Sequence, residues 1–99
     1  MSYTVINELF VEPDDVEVFE KNFAASMTGT LKDVEGLLGA RLLAPKSDDR
    51  GYLSILEFND RSAYEGYIAS RAFAAAHTWP DHAPFYSNRL AEFSSILDL

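Results

Sequence analysis

The sequence predicts an α+β fold in the order β-α-β-β-α-β, with a four-stranded antiparallel sheet. Three observations carry that reading: β-rich runs that alternate in character or are continuously apolar, an apolar stripe at steps of three and four after the first run, and turn or cap residues at the junctions. The 99 residues fit one domain spanning 1–99.

Tyr3 to Val11 alternates, so that Val5, Asn7, Leu9 and Val11 share one face and Thr4, Ile6, Glu8 and Phe10 the other. Glu12-Pro13-Asp14-Asp15 is a helix-start signal, because proline is tolerated in a first turn and the acids favour the positive end of the helix dipole. Val16, Phe19, Phe23 and Met27 then form the buried stripe of a helix ending near Gly29. Leu37 to Ala44 is apolar apart from Arg41 and stops at Pro45, and Lys46 to Gly51 is turn-like. Tyr52 to Phe58 returns as a strand. Asn59 or Asp60 caps a helix carrying Tyr64, Tyr67 and Ile68, and Ser70 introduces a kink and a further short helix from Arg71 to His77. Pro80 and Pro84 make Thr78 to Asn88 irregular, and Arg89 to Leu97 alternates as the last strand.

This order is the ferredoxin-like split βαβ unit, with both helices on one face of the sheet. The opposite face then exposes Ile6 and Phe10 together with Ala91, Phe93 or Leu97, depending on register. Such a patch is larger than monomers usually leave in water, and a second copy packed across a twofold axis covers it, so a homodimer is expected.

Composition narrows the function classes. A net charge of −8 and scattered Lys and Arg argue against a nucleic-acid or anionic-membrane partner. With no cysteine, a disulfide, a thiolate nucleophile and an iron-sulfur cluster are excluded. Strand-like residues begin at Tyr3, leaving no room for a signal peptide, and no apolar run reaches the length of a membrane span, so the expected location is the cytoplasm.

There is no Gly-rich phosphate loop, nucleophile elbow, zinc-binding His-Glu-x-x-His or EF-hand loop. His77 and His82 straddle Pro80 beside Asp81; their spacing does not fit one face of a helix, and solvated loop histidines account for them better than a metal site. Glu8, Glu57 and Glu92 lie on strands and form a possible acid-base set, with Arg41 and Arg89 available to neutralise them. Asn7 is more informative, since an amide amid apolar strand residues needs a hydrogen-bond partner, structural or ligand. Its face places it under the Phe19, Phe23 and Met27 stripe, where a cleft can open between helix and sheet. His77 follows Phe73 by one helical turn among small alanines, which leaves space for a planar ligand or simply makes a dipole-stabilised helix end. Tyr67 reads as core, with a hydroxyl that suggests more.

Several stretches together resemble the antibiotic biosynthesis monooxygenase (ABM) superfamily of dimeric α+β barrels, and within it the heme-degrading monooxygenases of the IsdG type. They are Val-Ile-Asn-Glu-Leu in the first strand, Phe-Glu-Lys-Asn-Phe-Ala in the helix, Val-Glu-Gly-Leu-Leu-Gly-Ala-Arg-Leu-Leu-Ala-Pro, and Phe-Asn-Asp-Arg-Ser-Ala-Tyr-Glu-Gly-Tyr before Arg-Ala-Phe-Ala-Ala-Ala-His. The resemblance implies a site of Asn7, Tyr67 and His77, with Phe23 against the ligand. His77 is then the axial ligand of heme iron, Asn7 a hydrogen-bond donor on the distal side, and Tyr67 the aromatic that presses on the porphyrin where heme-degrading members carry tryptophan. Asn22 and Ser26 offer no charge to heme propionates, and Lys21 is the nearest cation.

Three readings follow. The favoured one is heme degradation, with heme as both substrate and cofactor, O2 as oxidant, and electrons from an external reductase, since the chain has no flavin or nicotinamide motif. The second is cofactor-independent oxygenation of a quinol or polycyclic aromatic, with Asn7, Tyr67 and His77 hydrogen-bonding the substrate. The third is a non-catalytic dimeric module that binds a small planar aromatic or porphyrin ligand. The first two require one hollow, roofed by the first helix and floored by the sheet, shared by Asn7 and His77.

Overall fold

The computed structural model describes residues 2–70 and 85–99. The expected short helix from Arg71 to His77, with Asp81 and His82, lies outside the described residues.

The elements are β1 (Tyr3–Phe10), a 3-10 turn (Pro13–Asp15), α1 (Val16–Thr30), β2 (Leu37–Leu43), β3 (Tyr52–Phe58), α2 (Arg61–Ile68) and β4 (Ser87–Ser94). The sheet order is β2-β3-β1-β4 with every neighbouring pair antiparallel. This is the ferredoxin-like arrangement expected. Asp60 is the cap of α2, its carboxylate accepting from Ala63 N at 2.9 Å. At the other helix, Leu31 N–H donates to Met27 O and closes the last turn of α1.

Two boundaries differ from the sequence expectation. The last strand runs from Ser87 to Ser94 and not from Arg89 to Leu97. Its limits are set by its partner: Ser87 pairs with Phe10 and Ser94 with Tyr3, so β1 offers no further backbone groups. Beyond it Ser95 N–H reaches Ser2 O at 3.0 Å, and Ile96 and Leu97 project into solvent. Ser87 and Asn88, expected in an irregular segment from Thr78, therefore belong to the sheet, and residues 78–84 of that segment lie outside the described residues.

The register fixes the two faces. Tyr3, Val5, Asn7 and Leu9 stand beside Phe58, Leu56, Ser54 and Tyr52 on the helix side. Ile6 stands between Ile55 and Ala91 on the other side, with Phe93 beside Thr4. Leu97 is therefore not part of the second face, whereas Ala91 and Phe93 are.

The helix-side core divides into two clusters. One joins Leu9, Phe19 and Tyr52, and the other joins Val5, Leu31, Phe58, Tyr64 and Tyr67. Between them the sheet presents the polar rung Asn7–Ser54. Phe19, Phe58 and Leu9 are wholly removed from solvent, each contributing roughly 1.5 to 3 kcal/mol of burial. They anchor α1 and α2 to the sheet on either side of the rung.

Candidate functional site

The gap between the two clusters is a cleft of about 550 Å3, within the roughly 300 to 1,000 Å3 of ordinary small-molecule sites. Its floor is Val5, Asn7, Leu9, Ser54 and Leu56, and β4 adds Asn88 and Leu90. Phe23, Ser26, Met27 and Thr30 of α1 form one wall and Tyr64, Tyr67 and Ile68 of α2 another. Phe19 fills space behind Phe23, the rings stacked at 5.0 Å between centroids. That contact holds Phe23 at the cleft while Phe19 is buried in the core.

Asn7, Phe23 and Tyr67, singled out from the sequence, thus line one cleft. His77 lies outside the described residues, so its relation to that cleft is not part of this geometry. Tyr67 packs on Phe58 with centroids 5.7 Å apart, and burial first, then Tyr64, holds its phenol above the ordinary tyrosine value. It remains protonated through neutral pH, able to donate as well as accept.

Asn88 was missed by sequence reasoning. Its Nδ2 donates to Asn7 Oδ1 at 3.1 Å. The signal was present in the alternation of the last strand: had it been carried back to Ser87, Asn88 and Leu90 would have fallen on the face of Asn7.

Among the described residues, none that lines the cleft carries a formal charge. Lys21 is exposed and does not line it. The three strand glutamates do not converge, because Glu8 and Glu57 stand on the face away from the helices and Glu92 on the helix side. Glu8 accepts from Gly51 N and Arg50, and Glu92 accepts from the Tyr3 hydroxyl. An acid-base triad of these residues is thereby ruled out. No cluster of three metal-binding side chains occurs among the described residues. A second hollow between the α1–β2 connection and α2 is lined by Asp33, Glu35 and Asp60 and shares the Tyr67 wall. Its carboxylates repel anionic ligands, and the apolar cleft with its amide floor is the better site for a flat organic molecule.

Residues 2–79 match the antibiotic biosynthesis monooxygenase family, and the chain belongs to it. No curated protein matches it in sequence. The fold is similar to that of MhuD, a heme-degrader from Mycobacterium tuberculosis solved with two hemes in its active site, at TM-score 0.83 and 24% identity over 98% of both chains. A substituted form of MhuD with two manganese protoporphyrin IX molecules per active site gives TM-score 0.85, again at 24% identity, over 98% of this chain and 97% of that one. SnoaB, a cofactor-independent oxygenase from Streptomyces nogalater, is similar at TM-score 0.78 and 22% identity, over 99% of this chain and 96% of that one. At these identities the likeness defines the fold.

No helix among the described residues is long and apolar enough to cross a membrane.

Proposed function

We propose that this monooxygenase-family chain binds a flat aromatic substrate in the cleft between α1, α2 and the sheet, and that the substrate is heme, cleaved oxidatively with O2 and external electrons. The observation that carries the reading is the Asn7 amide, partly buried on the floor of a largely apolar cleft walled by Phe23 and Tyr67. The walls fit a porphyrin face, and the likeness to MhuD supports heme in particular.

Heme supplies an iron centre that activates O2. The chain contributes the remainder. Val5, Leu9, Met27 and Leu90 exclude water from the macrocycle, Asn7 donates a hydrogen bond from Nδ2, and Tyr67 bears on the porphyrin face. His77 is proposed as the iron ligand from the segment outside the described residues. A separate reductase or small reductant would provide the electrons, and the described lining residues offer no charge that would pair with the propionates.

A homodimer is part of the proposal. On the face away from the helices Ile6, Ile55, Ala91 and Phe93 form an apolar centre, with Glu8, Arg41, Glu57 and Arg89 around it. An apolar centre inside a charged rim is the anatomy of a protein interface.

The absence of charge among the described lining residues favours a second reading, oxygenation of a neutral polycyclic phenol without heme, and the likeness to SnoaB supports it. In that reaction a ring CH2 becomes a carbonyl, one oxygen atom of O2 enters the product and the other leaves as water, so no external electrons are needed.

Titration with hemin separates these readings. A Soret shift lost in His77→Ala, followed by bleaching on addition of ascorbate, is the result expected for heme degradation. Binding without bleaching points to a ligand-binding module. No shift, together with O2 uptake on an anthrone, points to the heme-free reaction.

A further inference from the structure

Asn88 stands opposite Leu9 and diagonal to Asn7 on the cleft side of the sheet. Its Nδ2 donates to Asn7 Oδ1 at 3.1 Å. An asparagine has one carbonyl and one NH2 group on opposite sides of the same planar unit, so a partner that claims the carbonyl turns the NH2 away from itself. Among the described residues the Asn7 Nδ2 meets no acceptor. Two unclaimed donor hydrogens are therefore left on the floor of a cleft whose walls are mostly apolar.

The two amides have two mutually exclusive polarities. Either Asn88 donates and Asn7 presents donors to the cleft, or Asn7 donates and presents a carbonyl. The residue at position 88 is solvent-exposed, so water satisfies whichever group it has left over, whereas Asn7 is partly buried. The choice thus matters at Asn7 and is nearly free at Asn88.

We infer that Asn88 is a positioning residue that sets the polarity of the Asn7 amide, holding its NH2 toward the substrate. This rests on the reading of the cleft as an oxygenation site. There, a fixed donor stabilises negative charge that develops on oxygen, and a carbonyl in its place repels it.

The test uses Asn88→Asp, which can only accept and forces the inverse polarity, beside Asn88→Ala, which imposes none. In the ligand-free protein, nuclear Overhauser contacts from the Asn7 Nδ2 protons are expected to reach cleft side chains in the wild type and in N88D to move to the β4 side. With hemin and ascorbate, kcat is expected to fall on the order of 100-fold in N88D while KM moves less than about twofold, with N88A between. In the ferrous carbonyl complex, the C–O stretch should rise in N88D, the signature of a lost donor beside the ligand oxygen. If the wild type takes up no hemin, the heme reading fails and the nuclear Overhauser contacts alone decide the inference. Asn7 contacts unchanged in N88D, or equal losses in N88D and N88A with an unshifted C–O stretch, overturn it.

Discussion

The Tyr52 hydroxyl donates to Glu20 Oε2 at 2.5 Å, tying the first residue of β3 to the outer side of α1. Tyr52 is buried against Leu9 and Phe19, so this bond fixes the helix that roofs the cleft at its N-terminal half. Burial first, then Glu20, pushes the Tyr52 phenol up to about 12. A group whose folded pKa is raised contributes stability that is complete below its unfolded value, near 10, and is lost as pH rises through the folded value. Tyr52→Phe is expected to cost about 0.5 to 1.5 kcal/mol at pH 7. The difference from wild type should shrink between about pH 10 and 12. Urea denaturation at both ends of that range checks it, and a pH-independent difference contradicts the assignment.

Glu8 works with the opposite sign. The Gly51 N–H first, then Arg50, holds its carboxyl below the ordinary value, with Gly51 N at 2.8 Å and Arg50 Nε at 3.0 Å from Oε2. Stability from a lowered carboxylate is present above the unfolded pKa and disappears as pH falls through the folded one. Glu8→Gln should cost about 1 kcal/mol at pH 7 and flatten the acid limb of the stability curve below the ordinary glutamate range. Arg50→Gln should cost less, because Arg50 is 58% exposed and its pairing is solvent-screened. Equal costs for the two would assign the effect to the ion pair and not to the backbone donor.

Much of this organisation was legible in the chain. The period-two pattern of Tyr3 to Phe10 put Val5, Asn7 and Leu9 on the helix side, and the Phe19-Phe23-Met27 stripe met them there, because alternation and helical repeat are set by backbone geometry alone. What escaped were long-range pairings. The start of β4 depends on Phe10 accepting from Tyr86 N, and nothing local at Ser87 announces it; with that boundary went Asn88. Arg50 was assigned to a turn and not to Glu8 for the same reason, since 42 residues separate the pair in sequence. The division of the core by Asn7 and Ser54 likewise required knowing which residue of β3 stands beside Asn7.

Gly36 should be among the least replaceable glycines. Its φ of 81° is unfavourable for side chains, and a Cβ there would lie 2.5 Å from Ala63 Cβ on α2. Its carbonyl also accepts from Asn59 N at 2.8 Å, just before α2 begins. Gly36→Ala is expected to lose about 1 to 3 kcal/mol and to shift the helix that carries Tyr67. Gly66→Ala, in α2 with open space around its Cβ, should instead gain about 0.5 to 1 kcal/mol. Urea midpoints for the two variants must move in opposite directions; a shared direction refutes the steric argument.

Phe93 is half exposed on the face away from the helices, beside the rung Ile55-Ile6-Ala91. In the proposed homodimer it is buried by the second copy, and burying a phenylalanine contributes roughly 1.5 to 3 kcal/mol. Phe93→Glu replaces that gain with the cost of an unpaired carboxylate in an apolar interface. Dimer dissociation should become at least roughly 10- to 100-fold easier, seen by sedimentation velocity across a concentration series. The melting temperature of the wild type should rise with concentration, and that dependence should weaken in the variant. Ile96→Glu is the control, since Ile96 is 94% exposed and lies beyond the sheet; it should leave association unchanged. A wild-type chain that sediments as a monomer at every concentration, or an I96E chain that dissociates as readily as F93E, would show that the Ile6–Phe93 face is not where two copies meet.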